Sequence, residues 1–265
     1  MDFTWLKNNV KVAKEHSKGW TDAIKYLWLI YSSKGPFHSL TGEKEFLLNL
    51  RFADPVGRIK LKLRNNQGSD AFIFSELFLH NYYDMKLVGR PRNILDLGAN
   101  IGLTTIYWSK VYPEAELACV EPMPNNLEIL KWNIAENKVN TTVLEGAVAV
   151  ADGEIRMEIA EKDFGHQVAT DAVTGRETIK VNAYSMPTII SRLGWSEIDL
   201  LKVDIEGYEA YLLRENRDWL RQVNHMIIEL HGTYPQEELN ELARDFGFTK
   251  PEEIYGLWHL RRIQG

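Results

Sequence analysis

The sequence predicts an α/β fold: a mostly parallel sheet with helices on both faces, carrying an N-terminal helical and hairpin extension. Three observations predict it. Short apolar runs that do not alternate, "NILDLG" (93–98), "ELACVEP" (116–122), "IDLLKVDIE" (198–206) and "HMIIELHG" (225–232), read as strands buried on both faces. Helical patterns separate them, as crossovers between parallel strands require. Two glycines and an aspartate stand where the first strand meets its helix, in "NILDLGANIGLTTIYW" (93–108). In open parallel sheets that turn is where ligands bind.

The elements follow in order. Residues 1–34 read as two helices split near "SKGW" (17–20), and 32–43 as a loop rich in Gly, Pro and Ser. "EFLLNLRF" and "GRIKLKLR" (57–64) form a hairpin-like strand pair around "ADPVG". "SDAFIFSELFLHNYYDM" (69–85) reads as a helix capped by Ser69 or Asp70, with Phe72, Leu79 and Tyr83 near one face. After "NILDLG" come a helix in "GLTTIYWSKVY", the strand "ELACVEP", a helix in "NNLEILKWNIAENK" and a strand over "TTVLEGAVA". An excursion over 151–195 adds two strands, "GEIRMEIA" and "ETIKVNAYS", around a polar loop at 161–176. A strand over 198–206, a helix in "GYEAYLLREN", a strand over 225–232 and a helix at 235–247 closed by Gly247 complete the pattern. Residues 1–68 form a cap or docking extension, and 69–265 the ligand-binding domain.

Composition narrows the partners. The 265 residues are 45% hydrophobic, enough to bury a full core, and carry a net charge of −6. No basic stripe of the kind that binds nucleic acid is visible. The lone cysteine, Cys119, excludes an internal disulfide, sits in a buried strand and fits a reducing cytoplasm. The N-terminus has no secretory pattern, and "AIKYLWLIY" (23–31) is too short to span a bilayer. Its amphipathic spacing suits docking on the main domain better than a membrane surface. The aromatic residues of the extension also suit a homodimer surface.

Three ligand classes compete for the glycine turn. A phosphate-clasping loop needs a lysine after its last glycine, and Leu103 follows Gly102. A dinucleotide wants G-x-G-x-x-G, whereas "GANIG" puts Asn100 at the second glycine. Asp96, two residues before Gly98, is a poor neighbour for a pyrophosphate. S-adenosylmethionine has no phosphate and carries an ammonium and a sulfonium, which an acid favours; its carboxylate suits the helix N-terminus. Glu121 ends the next strand in "CVEPMP", where a carboxylate grips ribose hydroxyls. Gly146, Ala147 and Val148 stand where an adenine ring would lie, although a plain buried strand reads the same way.

"ILDLGANIGLTT", "VEPMPNN" and "LLKVDIEGYE" resemble the FkbM-type family of S-adenosylmethionine-dependent methyltransferases; "KVDIEGYE" (202–209) is the most specific of these, and the likeness covers about residues 69–231. The resemblance implies a Rossmann-like class I methyltransferase fold with a reversed last strand. It also implies methyl transfer to a hydroxyl of a sugar, glycan or natural product, with a peptide amide nitrogen as the alternative acceptor. By analogy Asp96, Gly98, Asn100 and Gly102 hold the methionine part and Glu121, with Pro122 beside it, the ribose. A dinucleotide-dependent oxidoreductase and a non-catalytic binding module remain as rivals.

Strand ends bring Asp204, Glu206, Glu229 and His231 to one rim beside that site. His231 can serve as general base, oriented by Glu229 or Asp204. Asp204, Glu229 and His231 can instead hold a divalent cation, the less favoured arrangement. A third reading has no specific base, since positioning alone supplies much of the acceleration. Asp204 and Glu206 can also simply cap the following helix. Glu206 and, in the 161–176 loop, His166 are candidate acceptor contacts. Trp108 and Trp195 read as core, and the role of Lys202 stays open.

Overall fold

The computed structural model describes residues 3–32, 45–66, 69–80, 82, 89–158, 167–168, 177–232 and 234–263. The extension comprises helices α1 (Phe3–His16) and α2 (Trp20–Ser32) and the antiparallel pair β1 (Glu45–Arg51) and β2 (Arg58–Arg64). Helix α3 (Ser69–Phe78) leads into β3 (Asn93–Leu97), α4 (Leu103–Val111), β4 (Glu116–Glu121), α5 (Pro124–Glu136) and β5 (Thr141–Glu145). The excursion holds β6 (Ala147–Ala149), β7 (Gly153–Glu158), β8 (Gln167–Val168), β9 (Thr178–Ser185) and α6 (Met186–Leu193). Then follow β10 (Leu200–Val203), α7 (Glu209–Arg214), a 3-10 turn, β11 (His225–Glu229), α8 (Gln236–Asp245), β12 (Glu252–Ile254) and β13 (Leu257–Arg261).

The main sheet runs β12-β13-β11-β10-β3-β4-β5. Its five strands from β11 to β5 are parallel, and β13 lies antiparallel to β11, the reversed strand that the resemblance implied. The non-alternating apolar runs have a direct cause. Ile94, Leu200 and Ile227 pack into one core with α3, α4 and the extension. Their chain neighbours Leu95, Leu201 and Met226 pack into a second core with α6, α7 and α8. Both faces are covered, so neither position tolerates a polar residue. Among the described residues no helix is long and apolar enough to cross a membrane.

The extension is fixed by polar side chains as well as by its core. Asn133 on α5 and Asn137 at its C-cap, one helical turn apart, treat β2 as a neighbouring strand would. The amides of Lys62 and Lys60 donate to their Oδ1 atoms at 2.7 and 2.9 Å, and their Nδ2 atoms donate back to the same residues' carbonyls at 3.2 and 2.7 Å. The spacing matches: four residues of helix and two of strand each advance about 6–7 Å. An edge of β2 that would otherwise template pairing is thereby satisfied.

Four expectations are corrected. "TTVLEGAVA" is two strands in different sheets: β5 ends the main sheet, while β6 pairs with β9 in a four-stranded sheet of order β6-β9-β7-β8. The break falls at Gly146, where a Cβ would stand 2.7 Å from the Asn182 carbonyl oxygen. Helix α3 ends at Phe78, because the amide of His80 reaches back to the Ser75 carbonyl, an i−5 bond that unwinds the last turn. Its cap is Asn66, whose Oδ1 accepts from the Asp70 amide, and its buried face is Ala71, Phe74, Leu77 and Phe78; Phe72 is exposed. The strand predicted over 198–206 is only β10, so Asp204, Ile205 and Glu206 belong to the turn beyond it. The predicted loops at 32–43 and 161–176 lie largely outside the described residues.

Candidate active site

The turn between β3 and α4 is built to bring backbone against backbone. Gly98 has φ +78°, and a Cβ there would stand 1.8 Å from the Asp204 carbonyl oxygen, so only glycine fits. Gly102 caps α4 at φ +83° and packs toward Leu130. Between them Asn100, at φ +50°, donates its amide to Glu121 Oε2 at 2.8 Å. The other oxygen of Glu121 accepts from the Met123 amide at 2.9 Å and from Asn126 Nδ2 at 3.1 Å. Three donors hold this carboxylate at the tip of β4, while burial pushes its pKa up.

A cavity of about 400 Å³ opens over these strand tips, within the usual size range for small-ligand sites. Gly98, Asn100, Glu121, Pro122 and Ala147 form its wall over β3 and β4. Asp204, Glu206, Glu229 and His231 form the wall over β10 and β11, and α3 adds Glu76. Asp96 and Gly102 are not on the wall. Asp96 was expected to touch the ligand; it lies behind the turn, where Oδ2 accepts from Thr105 Oγ1 at 2.9 Å and Oδ1 stands 3.3 Å from Lys202 Nζ. His166 lies outside the described residues.

Lys202, only 3% exposed, gathers the turn: Nζ also stands 3.2 Å from Asp204 Oδ2 and donates to the Gly98 carbonyl at 3.1 Å. Side chains of β3 and β10 thus meet beneath the cavity through one cation. The following loop is held by Glu209, fully buried, whose carboxylate accepts from the amides of Ile205 and Gly207 and lies 3.2 Å from His231 Nδ1. The N-cap of α7 is Tyr208 and carries no side-chain capping bond, so neither Asp204 nor Glu206 takes the helix-capping role considered for them, and Glu209 ties the loop ahead of the helix instead. It bends the loop so that Glu206, at φ +54°, faces His231 Nε2 across 3.6 Å; Glu229 Oε1 is 3.5 Å from the same nitrogen.

These surroundings decide the charge of His231. Hydrogen bonding to Glu209 and Glu229 raises its pKa to about 11, and the ring is a cation at neutral pH. A base must first be free of its proton, so this set of carboxylate partners weighs against His231 in the role of general base. Hydrogen bonding to His231 in turn lowers the pKa of Glu229. Donor atoms of Asp204, Glu206 and His231 lie within 4.8 Å of one another, a spacing that would admit a cation and that acidic surfaces often show without one.

Sequence reasoning missed Glu76, Glu209, and the Arg64–Asp70 pair. Burial, and then Glu229 and Asp204 nearby, raise the pKa of Glu76 to about 7. Its signal was available: one acid inside the apolar run "AFIFSELFLH" is poorly explained by a packing face. Arg64 binds Asp70 through both Nε and Nη2, Asn126 through Nη1 at 2.7 Å and Asn100 through Nη2 at 3.2 Å. The extension therefore braces the glycine turn. Trp108 is a core residue as expected, while Trp195 is only partly buried against the second core and donates to Glu116.

A crevice at the first crossover of a parallel sheet, with the Glu121 carboxylate at the tip of β4 and Asp204, Glu206 and Glu229 on its other wall, suits a cationic nucleoside better than a pyrophosphate. That is the site of a methyltransferase that uses S-adenosylmethionine. Residues 96–251 match the methyltransferase FkbM domain, and the chain belongs to that family. Methyltransferase sdnD of Sordaria araneosa is 29% identical over 67% of this chain and 81% of its own length. The 31-O-demethyl-FK506 methyltransferase FkbM of Streptomyces tacrolimicus is 27% identical over 69% of this chain and 84% of its own length. The crystal structure of methyltransferase FkbM from Methylobacillus flagellatus KT superimposes with a TM-score of 0.48 at 14% identity, covering 79% of this chain and 56% of that one.

Proposed function

We propose that this chain methylates a hydroxyl oxygen of a small acceptor, a sugar, glycan or secondary metabolite, and that Glu76 takes the hydroxyl proton. When bound, S-adenosylmethionine supplies a methyl carbon already activated by its sulfonium, with a thioether that departs carrying the bonding pair. Glu121 would hold the ribose, and the Gly98–Asn100 turn the methionine part. What remains for the protein is to position the hydroxyl and receive its proton. The observation that carries this reading is the carboxyl of Glu76, poised near pH 7 on the cavity wall with Glu229 and Asp204 close by. His231 keeps its own proton and orients Glu206 and Glu229 as a fixed cation. A relative named for transfer to a 31-O position supports oxygen as the acceptor atom. We also place the protein in the cytoplasm, in keeping with its lone buried thiol, and assign residues 1–68 as an extension. Trp20, Ile24 and Trp28, exposed at four-residue spacing on α2, support a homodimer surface there.

The test is transfer of labelled methyl from S-adenosylmethionine to a panel of hydroxylated and amide acceptors. Oxygen-linked label is expected, with Glu76→Gln binding the cofactor normally and losing about 10²–10⁴ in kcat. Label on nitrogen alone would overturn the oxygen assignment, and an unchanged kcat in Glu76→Gln the assignment of the base.

A further inference from the structure

The hairpin between β12 and β13 makes its turn with the wrong residue. Ile254 pairs with Leu257, leaving Tyr255 and Gly256 as a two-residue loop with φ +54° and +84°. Positive φ at both central positions is the pattern of a type I′ turn, which favours Asn-Gly or Asp-Gly. A tyrosine there is strained, and Tyr255 is the only aromatic residue with positive φ among the described residues. The strain puts the ring at the cavity mouth. Leu257 is the register partner of Glu229, and Tyr255 lines the same cavity as Glu229 and Glu76. Its ring stacks on Tyr82 with centroids 4.6 Å apart and planes 6° from parallel, yet 66% of Tyr255 stays exposed. A contact made only for packing would bury more of it.

The charges beside this platform are one-sided. Glu76, Glu206 and Glu229 line the cavity there, and its two cations among the described residues, Lys202 and His231, are each spent on carboxylates. Among the described residues nothing there would neutralise an anionic ligand, whereas carboxylates suit hydroxyl or ammonium donors, and an aromatic face suits the C–H face of a sugar-like ring. We propose that Tyr255, backed by Tyr82, is the stacking platform for the acceptor, and that the acceptor is a pyranose-like ring without negative charge. This rests on the oxygen-acceptor reading above and specifies it.

Saturation-transfer NMR on the S-adenosylhomocysteine-loaded protein tests it with three probes: methyl β-D-glucopyranoside, methyl β-D-glucosaminide and methyl β-D-glucuronide. The first two should receive saturation at their ring C–H protons and the glucuronide much less. Tyr255→Asn, which gives the turn its preferred residue, should weaken both signals and raise Kd about tenfold. It should keep cofactor affinity and hold or raise the thermal midpoint. Tyr255→Phe should bind like the wild type. No saturation of the neutral probes, equal saturation of the glucuronide, or unchanged binding by Tyr255→Asn would each overturn the proposal, as would a lowered midpoint with binding unchanged, which marks a purely structural ring. Methyl transfer is read separately, so a probe that binds without being methylated tells against the oxygen-acceptor reading and not against the platform.

Discussion

Two groups of opposite character set the pH behaviour at the scale of single residues. Glu76 has a folded pKa above its unfolded one, so the native state binds the extra proton, and stability falls as pH rises from about 4.5 through 7. Glu76→Gln should remove that fall. At pH 8 it should be more stable by about 1 kcal/mol, discounted for a partly exposed group, or about 2–4 °C in thermal midpoint. A variant gaining stability while losing turnover is the signature of a functional acid, and wild-type kcat should climb with pH up to about 7. His231 is raised as a base: its contribution is complete below pH 6.5 and is lost as pH rises through about 11. The stability difference between wild type and His231→Gln, followed by urea titration, should therefore shrink across that window. Glu121 acts on binding: Glu121→Gln keeps the shape and loses the charge, and calorimetry should show S-adenosylmethionine Kd raised tenfold or more.

Elements with strong periodicity and two buried faces were legible in the sequence, and those whose shape depends on distant backbone were not. β3, β4 and β11 declare themselves because Leu95 and Ile94, or Met226 and Ile227, must both be apolar. The split at Gly146 was hidden, since only the approach of Asn182 from β9 makes it necessary. Asp96 and Glu121 read alike as acids at strand tips, yet Lys202, from a strand a hundred residues later, turns Asp96 away from the cavity. The docking of β2 on α5 was equally invisible, because an asparagine on a helix ordinarily reads as solvated. Asn133→Ala or Asn137→Ala should each leave an amide and a carbonyl of β2 without partners, at a cost of about 1–3 kcal/mol by urea unfolding. Hydrogen exchange should speed at Lys62 in the first variant and at Lys60 in the second. An unchanged rate at both would mean that apolar packing alone holds the hairpin.

Across the whole molecule, the extension behaves as part of the catalytic fold. Leu48, Leu61 and Leu63 of the hairpin share one core with Phe74, Leu77 and Trp108 of the helices that flank the glycine turn. The buried charge of Asp70 is met by Arg64, so the pair bridges residues 1–68 and 69–265. Removing the extension would uncover that apolar face and leave Asp70 buried without its cation, an arrangement costing about 3–5 kcal/mol by itself. A typical domain has only about 5–15 kcal/mol in total. A fragment of residues 69–265 is therefore expected to lose fixed tertiary structure: retained far-UV and absent near-UV circular dichroism, with no S-adenosylmethionine binding by calorimetry. Arg64→Lys in the full chain separates bracing from folding. It keeps the charge but gives up the bidentate fork and the bonds to Asn100 and Asn126, so the fold should survive while cofactor affinity drops. A fragment that folds and binds normally would mean that the extension serves only the acceptor side or a partner, and that the glycine turn holds its shape unaided.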